Sequence, residues 1–158
     1  MPIVEPNNMK AALAPRTRLL GFDLGTKTIG LAISDSMLKV SSPLETLRRT
    51  KFMTDAEKIL VLIDTKEVGG LVLGLPRNMD GSEGPRAQST RAFAKNMDDK
   101  VNLPITFWDE RLTTAEAERV LIDEADMSRK RRGEVIDKMA ASIILQNFLH
   151  FLRNSAWR

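Results

Sequence analysis

The chain has 158 residues, and its 24 lysines and arginines against 21 acidic residues give a net charge of +3, too small to bind nucleic acid through overall charge alone. It contains no cysteine and one histidine, which excludes disulfides and thiolate metal sites and disfavours histidine-based catalysis. Carboxylates are the plentiful reactive groups, and they favour hard cations such as Mg²⁺ and Mn²⁺.

Residues 1–17 are rich in proline and asparagine and contain no apolar run of signal-peptide length. We predict that they form a flexible N-terminal tail, followed by a single domain over residues 18–158. No segment reaches the roughly 18 uninterrupted apolar residues that a membrane span needs. We therefore expect a cytoplasmic protein with no membrane partner.

Beyond the tail, the pattern changes to short apolar runs separated by polar turns. Two runs joined by three polar residues predict a β-hairpin, and a later run predicts a third strand: Leu19–Gly25, Ile29–Ile33 and a segment within Leu38–Leu47. In the second strand Gly30, Ala32 and Ser34 share one face. Side chains this small would let another element pack closely there.

The second half of the chain alternates helical and strand patterns. In chain order we predict a helix from Thr54 ended by Gly69 and Gly70, a buried strand Leu71–Leu75, a helix from Arg86 to Met97, a strand Pro104–Asp109, a helix from Thr113, a break at Arg129–Gly133 and a helix from Glu134 to Leu152. This order predicts an α/β fold. Its mixed sheet would join a three-strand antiparallel meander to parallel strands, with helices on both faces.

Two stretches place acids where strands end or turn. Asp23 lies within an apolar strand between glycines, where a lone buried carboxylate is costly unless it meets a cation, a donor or its own proton. An ordinary turn aspartate is the alternative. Asp109 and Glu110 end a later strand beside Arg111, and because strand side chains alternate, only one of the two acids should face a site there. Periodicity does not say which.

Asp137 is the third candidate, because it shares one face of the last helix with Ala141, Ile144, Phe148 and Phe151. A surface ion pair is its alternative. If the acids converge, two charges about 4 Å apart repel by about 4 kcal/mol at an effective dielectric of about 20. A metal-free site would therefore hold a proton, and two bound cations could activate water and stabilise the leaving oxygen of a phosphodiester.

Several basic or polar residues could contact phosphates without reading sequence. The candidates are Thr26 and Lys27 at the hairpin tip, Arg77 after the buried strand, Arg111, and the run Arg129, Lys130, Arg131 and Arg132. The alternatives are ordinary turn chemistry and a solvated loop. A further run, Arg48, Arg49 and Lys51, is interpreted as no more than a solubilising one.

Motifs in a fixed order along the chain resemble the YqgF family. They are Gly21–Lys27, Ile29–Asp35, Gly74–Pro76, Asn78–Ser82, Asp109–Thr114 and Ile136–Ala141. Members of that family are described as nucleases of pre-16S ribosomal RNA, and formerly as Holliday-junction resolvases, with an RNase H-like fold. The resemblance covers about residues 18–152.

The resemblance implies that Asp23, Glu110 and Asp137 form a catalytic triad that binds Mg²⁺ or Mn²⁺, which favours Glu110 over Asp109. It implies a nuclease that matures the 5′ end of pre-16S ribosomal RNA. A junction-resolving DNA endonuclease is the alternative within enzymes, and a non-catalytic nucleic-acid-binding or regulatory protein is the alternative of another class. Gly21–Thr26 also resembles a phosphate-binding segment of sugar kinases, actin and Hsp70, but those proteins close two such lobes around a nucleotide, and 158 residues suggest one.

Overall fold

The structure is a computed structural model that describes residues 3–110 and 129–155. It contains one five-stranded sheet in the order β3-β2-β1-β4-β5. The strands are β1 (Arg18–Leu24), β2 (Thr28–Ser34), β3 (Ser41–Arg48), β4 (Val68–Leu75) and β5 (Ile105–Asp109). The first three form an antiparallel meander, whereas β4 runs parallel to β1 and β5 runs parallel to β4. The predicted mixed sheet is confirmed.

Helices cover both faces of this sheet. They are α1 (Met9–Ala12), α2 (Phe52–Thr65), α3 (Pro85–Asp98) and α4 (Arg129–Ser155), with a 3-10 turn at Pro6–Asn8 before α1. Because side chains alternate along a strand, Leu20 of β1 packs into the core beneath α2 and α3, while its neighbour Leu19 packs against α4. β4 is buried along its whole length, which explains its continuous apolar run. Among the described helices, none has an apolar stretch that could cross a membrane.

Helix α4 lies unusually close to the sheet because two glycines face it. A Cβ built on Gly30 would collide with the main-chain oxygen of Asp137, and one built on Gly21 would lie 2.9 Å from Cβ of Leu145. The small-residue face predicted for the second strand is therefore the contact surface of α4. This approach sets the position of Asp137 relative to β1 and β2.

Residues 3–17 lie against the domain in the structure, whereas the sequence predicts a flexible tail there. Ile3 forms a parallel bridge with Ile105 at the outer edge of β5, and the main-chain nitrogen of Val4 donates to the oxygen of Ile105 over 2.8 Å. Met9 is fully buried in the core beneath α4. Edge pairing and one apolar anchor hold a segment whose composition alone suggested a tail.

The pair Gly69 and Gly70 explains how this segment finds room. A Cβ on Gly69 would collide with the side chain of Thr17, and a Cβ on Gly70 would lie 2.8 Å from Cδ2 of Leu13. Both glycines are in β4, not at a helix end as predicted. Helix α2 ends earlier, at Thr65, and the chain then turns through Glu67, whose φ of 55° lies in the left-handed region.

Two helix starts also differ from the predictions. α2 begins at Phe52, two residues before Thr54, and the buried carboxylate of Asp55 accepts hydrogen bonds from the main chain and hydroxyl of Thr50. α4 begins at Arg129, so the basic run is helical and not the predicted break. Glycine at 133 weakens a helix by only about 1 kcal/mol, which packing further along α4 offsets. The helix predicted from Thr113 lies outside the described residues.

We predict that Gly30→Ala destabilises the domain by about 3 kcal/mol or more, because the new methyl group would have to displace the backbone of α4. Urea unfolding followed by circular dichroism would measure the loss. Gly84→Ala is the matched control, since its Cβ would meet only Nδ2 of Asn78 at 3.9 Å. Equal stability of the two variants would contradict the close approach of α4.

Candidate active site

Asp23 and Glu110 meet at the carboxyl ends of their strands, although β4 separates β1 from β5 in the sheet. Glu110 follows the last residue of β5, and its side chain crosses β4 at Gly74, where a Cβ would lie 2.8 Å from its Oε1 atom. The two carboxyl groups form a side-chain hydrogen bond with each other. A glycine in β4 therefore allows acids on two non-neighbouring strands to touch.

Burial and the repulsion between the two carboxylates favour one proton shared by Asp23 and Glu110. Burial and the negative charge of Asp23 raise the pKa of Glu110 to about 7. Burial also raises the pKa of Asp23, while the hydrogen bond from Glu110 lowers it. Below about pH 7 the pair therefore holds a proton, and the higher pKa of Glu110 favours that carboxyl as its carrier. The nearby guanidinium of Arg86 lowers the pKa of both acids, and so partly offsets the effect of burial.

Asp137 completes the acidic region from the opposite layer. Its main-chain oxygen lies against Gly30, which pairs with Asp23 across β1 and β2. Its Oδ2 atom accepts a 2.6 Å hydrogen bond from the hydroxyl of Thr28. Its negative charge raises the pKa of Asp23, as expected for a like charge nearby. The structure thus brings the three predicted acids into one region.

The acids suit a cation in their chemistry but not in their present arrangement. Within residues 3–110 and 129–155, no group of three or more acids and histidines is arranged closely enough to form a ready-made ligand cluster. The chemistry of the donors is nevertheless that of a hard-cation site, because partly buried carboxylates with raised pKa values gain most from a nearby positive charge. The donor set fits Mg²⁺ or Mn²⁺ once the proton on Glu110 is displaced.

The other predicted site residues are more dispersed. Thr26 and Lys27 are exposed at the hairpin turn. Arg77 lies 3.7 Å from the carboxylate of Glu83 and lines a different cavity, beside β5. Arg129–Arg132 form the first turn of α4, five to eight residues before Asp137. Arg111 lies outside the described residues.

Two residues at this site were missed by sequence reasoning. Thr28 was assigned only to the hairpin turn, yet its hydroxyl holds Asp137. Arg86 was assigned only to a helix start, yet it influences both Asp23 and Glu110. The first turn of a helix favours acids and disfavours a cation such as Arg86, and this conflict with the helix dipole was the available signal.

Comparison with known proteins identifies the family of this chain. The sequence model described as "RuvX: Holliday junction resolvase" matches residues 17–151. The chain belongs to the RuvX family. The resemblance to YqgF proteins, another name for this family, is confirmed.

Relatives within the RuvX family cover nearly the whole chain. A protein of Ruegeria pomeroyi named "Putative pre-16S rRNA nuclease" is 60% identical over 144 residues, which are 91% of this chain and 93% of that protein. A protein of Paramagnetospirillum magneticum with the same name is 56% identical over 149 residues, 94% of this chain and 96% of the relative.

Solved structures agree on the fold. The RuvC protein of T. thermophilus, solved in complex with a Holliday junction substrate, superposes with a TM-score of 0.55 at 11% identity, covering 87% of this chain and 96% of that one. A second Thermus thermophilus RuvC structure gives a TM-score of 0.50 at 9% identity, covering 87% and 97%. The predicted RNase H-like type of α/β fold is confirmed.

We predict that the metal-free RuvX-family domain becomes less stable as pH rises from about 5 to 8. The folded state holds the Glu110 proton up to a pKa of about 7, whereas the ordinary pKa of a glutamate is 4.5, so this stabilising contribution is present at low pH and lost through pH 7. Glu110→Gln should reduce this dependence of stability on pH. At pH 8 the variant should unfold about 3 °C or more above the unsubstituted protein, which corresponds to about 1 kcal/mol of unfolding free energy for a domain of this size.

Thermal unfolding in EDTA at pH 5, 6, 7 and 8 would measure the effect. Glu83→Gln is the matched control, because Arg91 lowers the pKa of that partly exposed carboxyl, which therefore stays ionised between pH 5 and 8. If the unfolding temperature of Glu110→Gln fell with pH as steeply as that of the unsubstituted protein, the proton shared by Asp23 and Glu110 would be contradicted.

Proposed function

We propose that this chain is a divalent-metal-dependent nuclease that hydrolyses phosphodiester bonds in 5′-end maturation of pre-16S ribosomal RNA. The observation that carries the chemistry is the partly buried Asp23–Glu110 pair, with Asp137 beside it. The name shared by relatives more than half identical in sequence supports the substrate. Such a role suits the cytoplasm, where ribosomes are assembled in bacteria.

Asp23, Glu110 and Asp137 would hold Mg²⁺ or Mn²⁺, with Asp23 lying between the other two acids in the electrostatic network. A cation pair in such a site supplies an activated water and stabilises the leaving oxygen of a phosphodiester. Glu110 must release its proton to become a ligand. Thr28 keeps the Asp137 carboxylate fixed through its 2.6 Å hydrogen bond, so that part of the site needs little reorganisation.

The nucleic-acid strand would be held mainly through its phosphates. We assign this role to Thr26 and Lys27 at the hairpin turn, to Arg77 and Arg111 after strands β4 and β5, and to the basic first turn of α4, Arg129 to Arg132. The chain has a net charge of only +3, so binding depends on where these cations lie.

Junction resolution is the second candidate, favoured by the description of the matching family model. Symmetric cleavage of a four-way DNA junction needs two active sites, so a resolvase should be dimeric under assay conditions. Sedimentation combined with assays on a junction and on single-stranded RNA separates the candidates. A monomer that cuts only RNA excludes the resolvase, whereas a dimer that cuts junctions in matched pairs and leaves the RNA intact excludes the RNA nuclease.

We predict that Asp23→Asn lowers metal-dependent cleavage of RNA by about 1,000-fold or more, because it removes one of the carboxylates that would hold the cations. RNA affinity in EDTA should change by less than about twofold. Single-turnover cleavage with Mg²⁺ and Mn²⁺, and fluorescence anisotropy without metal, would measure the two effects. Asp64→Asn, at an exposed acid on α2, is the control. Retained cleavage by Asp23→Asn would refute this role and favour a non-catalytic binding protein.

We also predict that replacing Arg129–Arg132 by alanine weakens RNA binding across sequences. Alanine favours helix, so the first turn of α4 should persist. The slope of log affinity against log salt should fall by about 0.7 for each phosphate of a single strand that the variant no longer neutralises. A matched control replaces four cations elsewhere in the chain that are exposed, Lys58, Lys66, Lys95 and Lys100. An unchanged slope in the Arg129–Arg132 variant would remove these residues from the binding surface.

A further inference from the structure

A separate cavity opens beside the acids at the carboxyl end of β1. Its volume is about 310 Å³, and the described residues that line it are Leu24, Gly25, Thr26, Arg49, Pro85, Arg86 and Ser89. Leu24 directly follows Asp23, and consecutive Cα atoms are about 3.8 Å apart, so the cavity begins next to the acidic site. Two arginines and no acid are among these residues, which gives the cavity the opposite charge to its neighbour.

Arg49 is fixed in this cavity and is not simply a solubilising side chain. Its Nη1 atom donates a 2.7 Å hydrogen bond to the oxygen of Gly25, and its main-chain nitrogen donates to the oxygen of Lys27 over 2.8 Å. Its guanidinium carbon lies 5.9 Å from the centre of the Phe93 ring. The hydrogen bond to Gly25 and the ring of Phe93 restrain the guanidinium, so the group is positioned before any ligand arrives.

Arg86 approaches the same cavity from the opposite wall. Its Nη2 atom donates to the oxygen of Leu24 over 3.3 Å, and its charge also acts on Asp23 and Glu110. Arg86 therefore stands between the cavity and the acids. It belongs to the first turn of α3, whose main-chain N–H groups carry partial positive charge and whose N-cap, Gly84, provides no capping side chain.

We propose that this cavity binds an internal phosphodiester of the substrate strand, next to the one that is cleaved. Two guanidinium groups, the Thr26 hydroxyl and the start of α3 are all hydrogen-bond donors, and a phosphate is the ligand that accepts from such a set. The inference rests on the proposed function, because it takes the substrate to be a polynucleotide. Holding the neighbouring phosphate would align the strand across the acids.

The test is a linkage scan in EDTA with an uncleavable 2′-O-methyl oligoribonucleotide. Single phosphodiesters are replaced in turn by neutral methylphosphonates, and affinity is measured by fluorescence anisotropy. The unsubstituted protein should lose about fivefold in affinity when one particular linkage is neutral. In Arg49→Gln the same replacement should change affinity by less than about twofold, because the partner of that charge is already gone.

Arg86→Gln is the second variant, because the side chain of Arg86 is exposed and belongs to α3, not to the hairpin itself. It should lose sensitivity at the same linkage as Arg49→Gln. Arg153→Gln, an exposed residue of α4 about 24 Å along the helix from Asp137, is the control and should keep the sensitivity of the unsubstituted protein. Equal sensitivity in all four proteins, or its loss in Arg153→Gln as well, would overturn the proposal.

The oligonucleotide is used with and without a 5′-phosphate. If Arg49 and Arg86 matter only when that terminal phosphate is present, the cavity binds a strand end and the internal-linkage proposal is wrong. Because binding is read without metal, this result is independent of catalysis. If the protein cleaves no RNA but one neutral linkage still weakens binding, only the nuclease proposal is refuted. If the unsubstituted protein cleaves RNA with metal but no neutral linkage weakens binding, only the phosphate-cavity proposal is refuted.

Discussion

The arrangement of this domain depends on the absence of side chains between β2 and α4. Gly30 allows the main-chain oxygen of Asp137 to lie directly against the sheet, and Gly21 gives similar room to Leu145. Gly74 plays the matching part on β4, where it lets the side chain of Glu110 cross a strand. Three backbone positions without Cβ atoms thus bring together acids that are far apart in sequence. Larger residues there would separate the acids even if every strand kept its register.

Bringing the acids together has an electrostatic cost that the fold meets in two ways. The proton on Glu110 removes one negative charge, and Arg86 places a positive charge near both Asp23 and Glu110. A bound cation would replace the proton as the group that neutralises the acids. A divalent cation competes with the proton, so cation binding, proton release and stability of the folded state are thermodynamically linked. A site that is only partly assembled without metal follows from this competition, because fully ionised acids at ligand distance would repel one another strongly.

Sequence periodicity predicted most of the sheet, and it singled out Asp23 and Asp137 because each is an acid within an otherwise apolar pattern. Asp137 interrupts an apolar helical stripe, and the small residues of β2 indicated where a helix would approach. The choice of Glu110 over Asp109 needed the family resemblance, because it depends on a side chain crossing Gly74, a contact between strands far apart in sequence. The same limit explains the errors at Gly69 and Gly70: a glycine pair ends helices locally, but here it makes room for residues that precede β1.

The positive groups around the acids differ in how firmly they are held, and this difference indicates different roles in binding a nucleic-acid strand. Arg49 is restrained by two hydrogen bonds and an aromatic ring, whereas Lys27 is exposed at a turn. An exposed lysine attracts a phosphate backbone from many directions and contributes mainly to affinity and its salt dependence. A restrained guanidinium accepts a phosphate in few orientations and so contributes to register. Register matters most for a nuclease, because a shift of one nucleotide changes which bond lies over the acids.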